Sequence, residues 1–306
     1  MQLRFKYSKL LNIAFAVGSI AVAGANYALE LNTYEGSMAA YQKMRADSKG
    51  ADTFTDWQVT MYVVEPGKKA LPIMRLDGFN VGRFAKQTDG GFHWLSREVA
   101  YYRDLKTGKI LNEWDNPITG QKNQILQVIN DPVNSKFGAV AAPGQPMLPW
   151  NVRGDDVFLK LDIPLAYPNA LLPADYPDES TGPSYIASEH FLFFMKARDL
   201  MDDKLTSIPL TYAWTRTGPW LPWMKMGARP GYVLYSGQGK KLKNSDELDP
   251  MVRETTMKLH PDFMSAPKSY VTPNETSWSY YKKQFPKANG VTPTAASKPN
   301  SSEKLN

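Results

Sequence analysis

The chain contains no cysteine among its 306 residues. Disulfide frameworks, thiolate zinc sites, iron–sulfur clusters, c-type haem attachment and cysteine nucleophiles are thereby excluded. Histidine is almost as scarce, with three residues. No HxH, HxxxH or HExxH spacing joins them, so the sequence offers no metal site. There is no GxSxG elbow, no P-loop, no GxGxxG run and no fixed-period repeat, and nothing calls for a cofactor. A clustered basic face is missing too. The chain has 36 basic and 30 acidic residues, but the excess sits at its two ends. Arg4, Lys6 and Lys9 open the chain, and Lys287, Lys298 and Lys304 stand against Glu303 at the other end. Residues 26–285 then hold 30 basic and 29 acidic residues, which argues against a nucleic-acid partner.

The longest apolar run, residues 10–25, is shorter than the ~20 residues of a bilayer-spanning helix. Behind a basic start and ending in small residues, it reads as a signal peptide over 1–25, cleaved between 23 and 28. No Arg-Arg pair is present, so general secretion is the expected route. The expected location is the periplasm or the medium beyond it, with no stable membrane span after cleavage. Residues 286–306 are polar and proline-bearing and read as a disordered tail. Residues 29–285 are long enough for a single β-rich domain with its own core.

Within that domain, residues 34–45 predict a short helix. Trp57, Val59, Met61 and Val63 alternate with polar residues, as in a half-buried strand. Pro66-Gly67 and Asp89-Gly90-Gly91 are turns, the latter a hairpin turn. Residues 92–103 are mixed on both faces and predict a strand covered on both sides. Further strands at 157–163, 185–197, 205–216 and 232–236 complete an antiparallel meander. The expected fold is a meander closing into a lipocalin-like barrel, with a few short peripheral helices.

Three of the eight tryptophans, Trp214, Trp220 and Trp223, fall within ten residues. Each removes roughly 150–250 Å² from water when buried, worth about 4–6 kcal/mol. They either form a core seam or line a cavity. A buried arginine must be paired, so Arg97 and Arg103 either hold internal ion pairs or orient a ligand, and Arg216 either packs its cation against tryptophan or orients a ligand. Glu189 and His190 are neighbours in one strand and point to opposite faces, so they form no simple dyad. Glu98 and Tyr101 complete the acid–base candidates, alongside Glu189 and His190.

Four stretches carry a resemblance. They are SREVAYYRD-x-x-TG (96–108), NDPVN (130–134), W-x-R-x-GPWLPWMKMG-x-RPG (214–231) and NETSW (274–278). Together they resemble the signatures of a bacterial and fungal family catalogued as domain of unknown function 1838, over roughly residues 31–285. The resemblance carries no catalytic assignment. It implies that Arg97, Glu98, Tyr101, Arg103, Asn130, Asp131, Trp214, Arg216, Trp220, Trp223 and Trp278 matter together. The leading functional expectation is a Trp/Tyr/Met-lined cavity that holds an apolar or aromatic small molecule, with Arg97, Arg103, Trp214, Arg216, Trp220, Trp223 and Trp278 as binding residues. A cofactor-free lyase, isomerase or hydrolase using Glu189, His190, Glu98 or Tyr101 is the alternative. A third reading is an envelope interaction protein docking through the Trp/Pro segment 218–227.

Overall fold

Alternating apolar positions form strands because successive side chains point to opposite faces. The computed structural model describes residues 30–287. The expected signal peptide and nearly all of the expected tail lie outside them. In chain order come α1 (Tyr34–Arg45), β1 (Thr53–Val64), β2 (Leu71–Lys86) and β3 (Phe92–Arg103). The short β4 (Glu113–Asp115), β5 (Lys122–Gln124), β6 (Val128–Asn130), β7 (Ser135–Phe137) and β8 (Trp150–Arg153) follow. Next are β9 (Asp156–Pro168), β10 (Ser184–Lys196), α2 (Ala197–Met201), β11 (Thr211–Gly218) and β12 (Tyr232–Lys241). The chain then enters α3 (Pro250–Leu259) and α4 (Ser277–Gln284).

The main antiparallel sheet has ten strands in the order β6–β3–β2–β1–β12–β11–β10–β9–β8, with β7 also on β3, while β4 and β5 pair apart. Two meanders, β1 to β3 and β8 to β12, are thus joined side by side through β1 and β12. The expected barrel does not appear. Among the described residues no ladder joins β8 to β6 or β7, so the sheet keeps two ends. It is nevertheless strongly curled. Laid flat, β3 and β10 would stand about 24 Å apart across five strand spacings. Yet the Glu189 carboxylate on β10 acts on Glu98 of β3, and Tyr102 of β3 meets Tyr235 of β12.

Helix α1 bridges the two ends. Met38 and Ala46 pack with Phe84, Phe92 and Trp94, while Ala40 and Met44 pack with Val157, Leu159, Phe193 and Met195. Both termini of the helix are tied. Thr33 Oγ1 accepts from the Gly36 N–H at 3.1 Å. Lys241 Nζ donates to the carbonyls of Lys43, Met44 and Ala46, which the helix end leaves without internal donors.

The tryptophan-rich segment packs into the concave side. Trp223 meets Tyr102 at 5.1 Å and Trp114 at 5.7 Å, both edge-on. Trp220 Nε1 donates to the Arg229 carbonyl at 2.8 Å. Gly231 permits this, because φ is 130° there and a Cβ would lie 2.4 Å from the Trp220 ring. Trp220 and Trp223 are 1% and 3% exposed. Segment 218–227 therefore presents no exposed tryptophan patch for docking, and its indoles belong to the core. The outer face of β1 to β3 is covered by residues 242–266, where Phe79, Val81, Val99 and Tyr101 pack with Leu248, Val252 and Phe263. Among the described residues no helix is long and apolar enough to cross a membrane.

Candidate functional site

Strand register lines up polar residues across the concave face. Lys241, Thr55, Asn80, Glu98 and Asn130 oppose one another in turn on β12, β1, β2, β3 and β6. Arg45 reaches in from the last turn of α1. Its Nη1 and Nη2 lie 3.4 Å from Thr55 Oγ1 and Asn80 Oδ1, and its guanidinium stands 4.8 Å over the Trp94 ring. Across the curl, Glu189 and Arg216 are register partners on β10 and β11, ion-paired at 2.9 Å. Arg216 also donates to the Tyr185 hydroxyl and lies 5.2 Å over the Tyr235 ring. Trp57 and Trp214 meet edge-on at 6.3 Å, and Phe191 stacks on Trp214 at 6.0 Å.

Burial marks this centre off from the core around it. Val59, Met61, Leu159 and Phe193 on the same face are at most 5% exposed. Arg45, Trp57, Glu98, Glu189, Trp214 and Arg216 are only half-buried. Glu98 is surrounded by protein, and burial followed by the Glu189 charge raises its carboxyl above the usual range. Burial works against the Arg216 charge, but Tyr185, Tyr235 and Glu189 together hold its pKa above the ordinary value. Tyr235 is pushed up to about 12 by burial, with Arg216 opposing. Burial, then Arg45, presses Lys241 down to about 7. Trp57 Nε1, Trp214 Nε1, Asn80 Nδ2 and Asn130 Oδ1 are buried without a partner among the described residues. Such atoms are rare in folded proteins and cost about 1–3 kcal/mol each. Four of them belong to this one centre.

The raised Glu98 carboxyl gives a stability prediction. A carboxyl whose folded pKa lies above its unfolded value takes up a proton on folding. Its contribution is therefore neutral below the unfolded value and destabilising as pH rises through the folded one. Glu98→Gln removes that slope. At neutral pH it is expected to stabilise the chain by about 0.5–2 kcal/mol, the usual gain from a stabilising substitution. Thermal melts between pH 4 and pH 8 check this. A variant less stable than the parent with an unchanged pH slope would contradict it.

The structure gathers some of the sequence candidates and separates others. Glu98, Glu189, Trp214 and Arg216 share the interior. Trp278 on α4 adjoins it through Tyr185 at 4.7 Å, and Trp220 and Trp223 are packed core beside it. Tyr101, Arg97 and Arg103 lie on the other face of β3, because they alternate with Glu98 and Tyr102. Arg97 pairs with Asp131 at 2.9 Å and donates to the Asp262 carbonyl. Arg103 binds Asp77 at 2.7 Å and Asp249, the α3 cap, at 3.1 Å. Tyr101 shares a 3.1 Å hydrogen bond with Thr256. These three fasten the outer covering to the sheet. Met61 and Met74 on the concave face are fully buried.

His190 points outward, opposite to Glu189. It links Ser188 Oγ at 2.9 Å and Asp162 Oδ1 at 2.7 Å, a nucleophile–base–acid order in outline. The backbone there is paired on both sides, to β9 and to β11, so no free N–H is left to stabilise an oxyanion. A surface hollow of about 390 Å³ beside Phe158, Phe194 and Lys196 is shallow, and Lys196 is already paired with Asp156 at 2.6 Å. Among the described residues no group of three potential metal ligands occurs. Sequence reading missed Arg45, Thr55, Asn80 and Lys241, which only strand register and the docking of α1 bring together.

Compared with curated proteins, the chain matches none. A family model described as a protein of unknown function (DUF1838) matches residues 50–285, which span both meanders, the tryptophan segment and the interior row. The chain belongs to the DUF1838 family.

Proposed function

We propose that this protein holds a small molecule with an aromatic or apolar body in the concave interior of its sheet. The observation that carries the reading is the half-buried group of Trp57, Glu98, Trp214 and Arg216 on a face where Val59, Met61, Leu159 and Phe193 are buried. Aromatic pairing adds about 0.5–1.5 kcal/mol per contact beyond area burial, and Trp57, Trp214 and Phe191 offer that. Glu98 and the Glu189–Arg216 pair orient the polar end, as the few polar groups of an apolar pocket do. The curled sheet, its ends bridged by α1, plays the part expected of a barrel wall. The N-terminal sequence supports an exported, periplasmic setting. Native mass spectrometry of the chain isolated from its own source tests the reading. A bound mass that leaves on denaturation is expected, and a bare chain after gentle isolation counts against it.

One observation favours a second reading. Burial and Glu189 hold Glu98 toward its neutral form, whereas Glu189 is paired with a guanidinium. Two carboxyl groups in unlike surroundings suit general acid–base chemistry, in a lyase, isomerase or hydrolase that needs no cofactor. Under this reading Glu98→Gln keeps ligand binding and loses turnover.

A further inference from the structure

Charge within the interior singles out Arg45. Arg216 is neutralised by Glu189 at 2.9 Å, and Lys241 is held by three main-chain carbonyls. Arg45 is half-buried; the Glu98 carboxyl and Lys241 act on it by charge, and its direct partners are all neutral. They are the Tyr41 side chain, Thr55 Oγ1 and Asn80 Oδ1 at a long 3.4 Å, and the Trp94 ring. A guanidinium removed from much of its water with only neutral partners favours taking an anion. Asn80, 3% exposed, leaves its Nδ2 donor without a partner. Glu98 is the carboxyl that acts on Arg45 by charge, and burial opposes its ionisation.

Resting on the interior-site reading, we infer that Arg45, with Asn80 beside it, recognises a carboxylate on the bound molecule. The ligand class is then a small aromatic or apolar monocarboxylic acid. The planar two-nitrogen edge of arginine matches a carboxylate. A dianion such as a phosphate monoester would meet one guanidinium free of an ion pair, which leaves its second charge uncompensated and disfavours it. Reach agrees with this. Thr55, which marks the Arg45 end, and Trp57 are two residues apart on one face of β1, about 7 Å along the strand. That is the span of a short arylcarboxylate.

The test compares two probes that differ only in charge, 2-naphthoate and 2-naphthamide. Each is titrated into the full chain and read by tryptophan emission. The acid is expected to bind at least tenfold tighter than the amide. Arg45→Met is expected to erase that difference while leaving amide binding in place, and Arg45→Lys to keep part of it. Equal affinity for acid and amide in the parent chain overturns the carboxylate inference and leaves the interior site standing. So does a preference that survives Arg45→Met. If neither probe perturbs the tryptophans, the inference and the interior-site reading fall together. The parent comparison requires no variant to fold.

Discussion

Arg216→Met is expected to destabilise the chain by about 3 kcal/mol, and Glu189→Leu on top of it to restore most of the loss. The pair is 11% and 23% exposed. Removing one partner of a buried pair leaves an uncompensated charge and typically costs 3–5 kcal/mol; the remaining exposure of Glu189 places this case at the low end. Replacing both partners by apolar residues is often neutral or better. Tyr185 also interacts with Tyr167, so its hydroxyl is not orphaned in the double variant. For a domain of this size the single change lowers Tm by roughly 6–12 °C. A double-mutant cycle by chemical denaturation measures the coupling directly. A double variant as unstable as Arg216→Met would show that the guanidinium acts through Tyr185 and Tyr235 rather than through Glu189.

Trp223→Ala is expected to cost more, about 3–5 kcal/mol, the usual range for deleting a large buried aromatic. The side chain is 3% exposed and lies edge-on between Tyr102 of β3 and Trp114 of β4. Its loss opens a cavity between the sheet and the β4–β5 hairpin. Asn116 and Asn123 anchor that hairpin to the Met224 carbonyl next door. Hydrogen exchange over residues 112–126 should therefore rise together with the fall in Tm. A loss below about 1 kcal/mol, with exchange unchanged, would mean that the segment is held elsewhere.

Much of the fold was legible because its signals are local. The alternation of Trp57, Val59, Met61 and Val63 marked the inner face of β1. Residues 34–45 gave α1 with its observed bounds. Asp249 and Pro250 open α3 as cap and first residue. The Asp-Gly-Gly turn joins β2 to β3 as expected, with Gly90 at a φ of 87°. The strand at 92–103 was expected to be covered on both faces, and it is. That same property hid which face was the interior, so Arg97 and Arg103 stood beside Glu98 as equal candidates.

What was not legible is long-range. β1 pairs with β12, Thr55 opposite Lys241, across most of the chain, and no periodicity announces such a partner. The polar row from Thr55 to Asn130 exists only through register. Arg45 looked like an ordinary last-turn residue, favourable near a helix C-terminus, until the docking of α1 placed it over Asn80. The barrel expectation followed from hiding sheet edges. A helix laid across the gap was a solution that the strand pattern alone does not distinguish from closure.

The half-buried centre between Arg45, Glu98 and Arg216 is proposed to hold a molecule. The most direct measurement strips that molecule from the natively isolated chain and returns it, following tryptophan emission and Tm at each step. A ligand at a hundred times its Kd adds about 2.7 kcal/mol to stability. The predicted result is a shift in emission and a drop of several degrees on stripping, both reversed on return, and both weakened in Trp57→Phe and Trp214→Phe. A chain whose emission and Tm are the same before and after stripping would contradict the claim and leave the centre a polar core without an occupant.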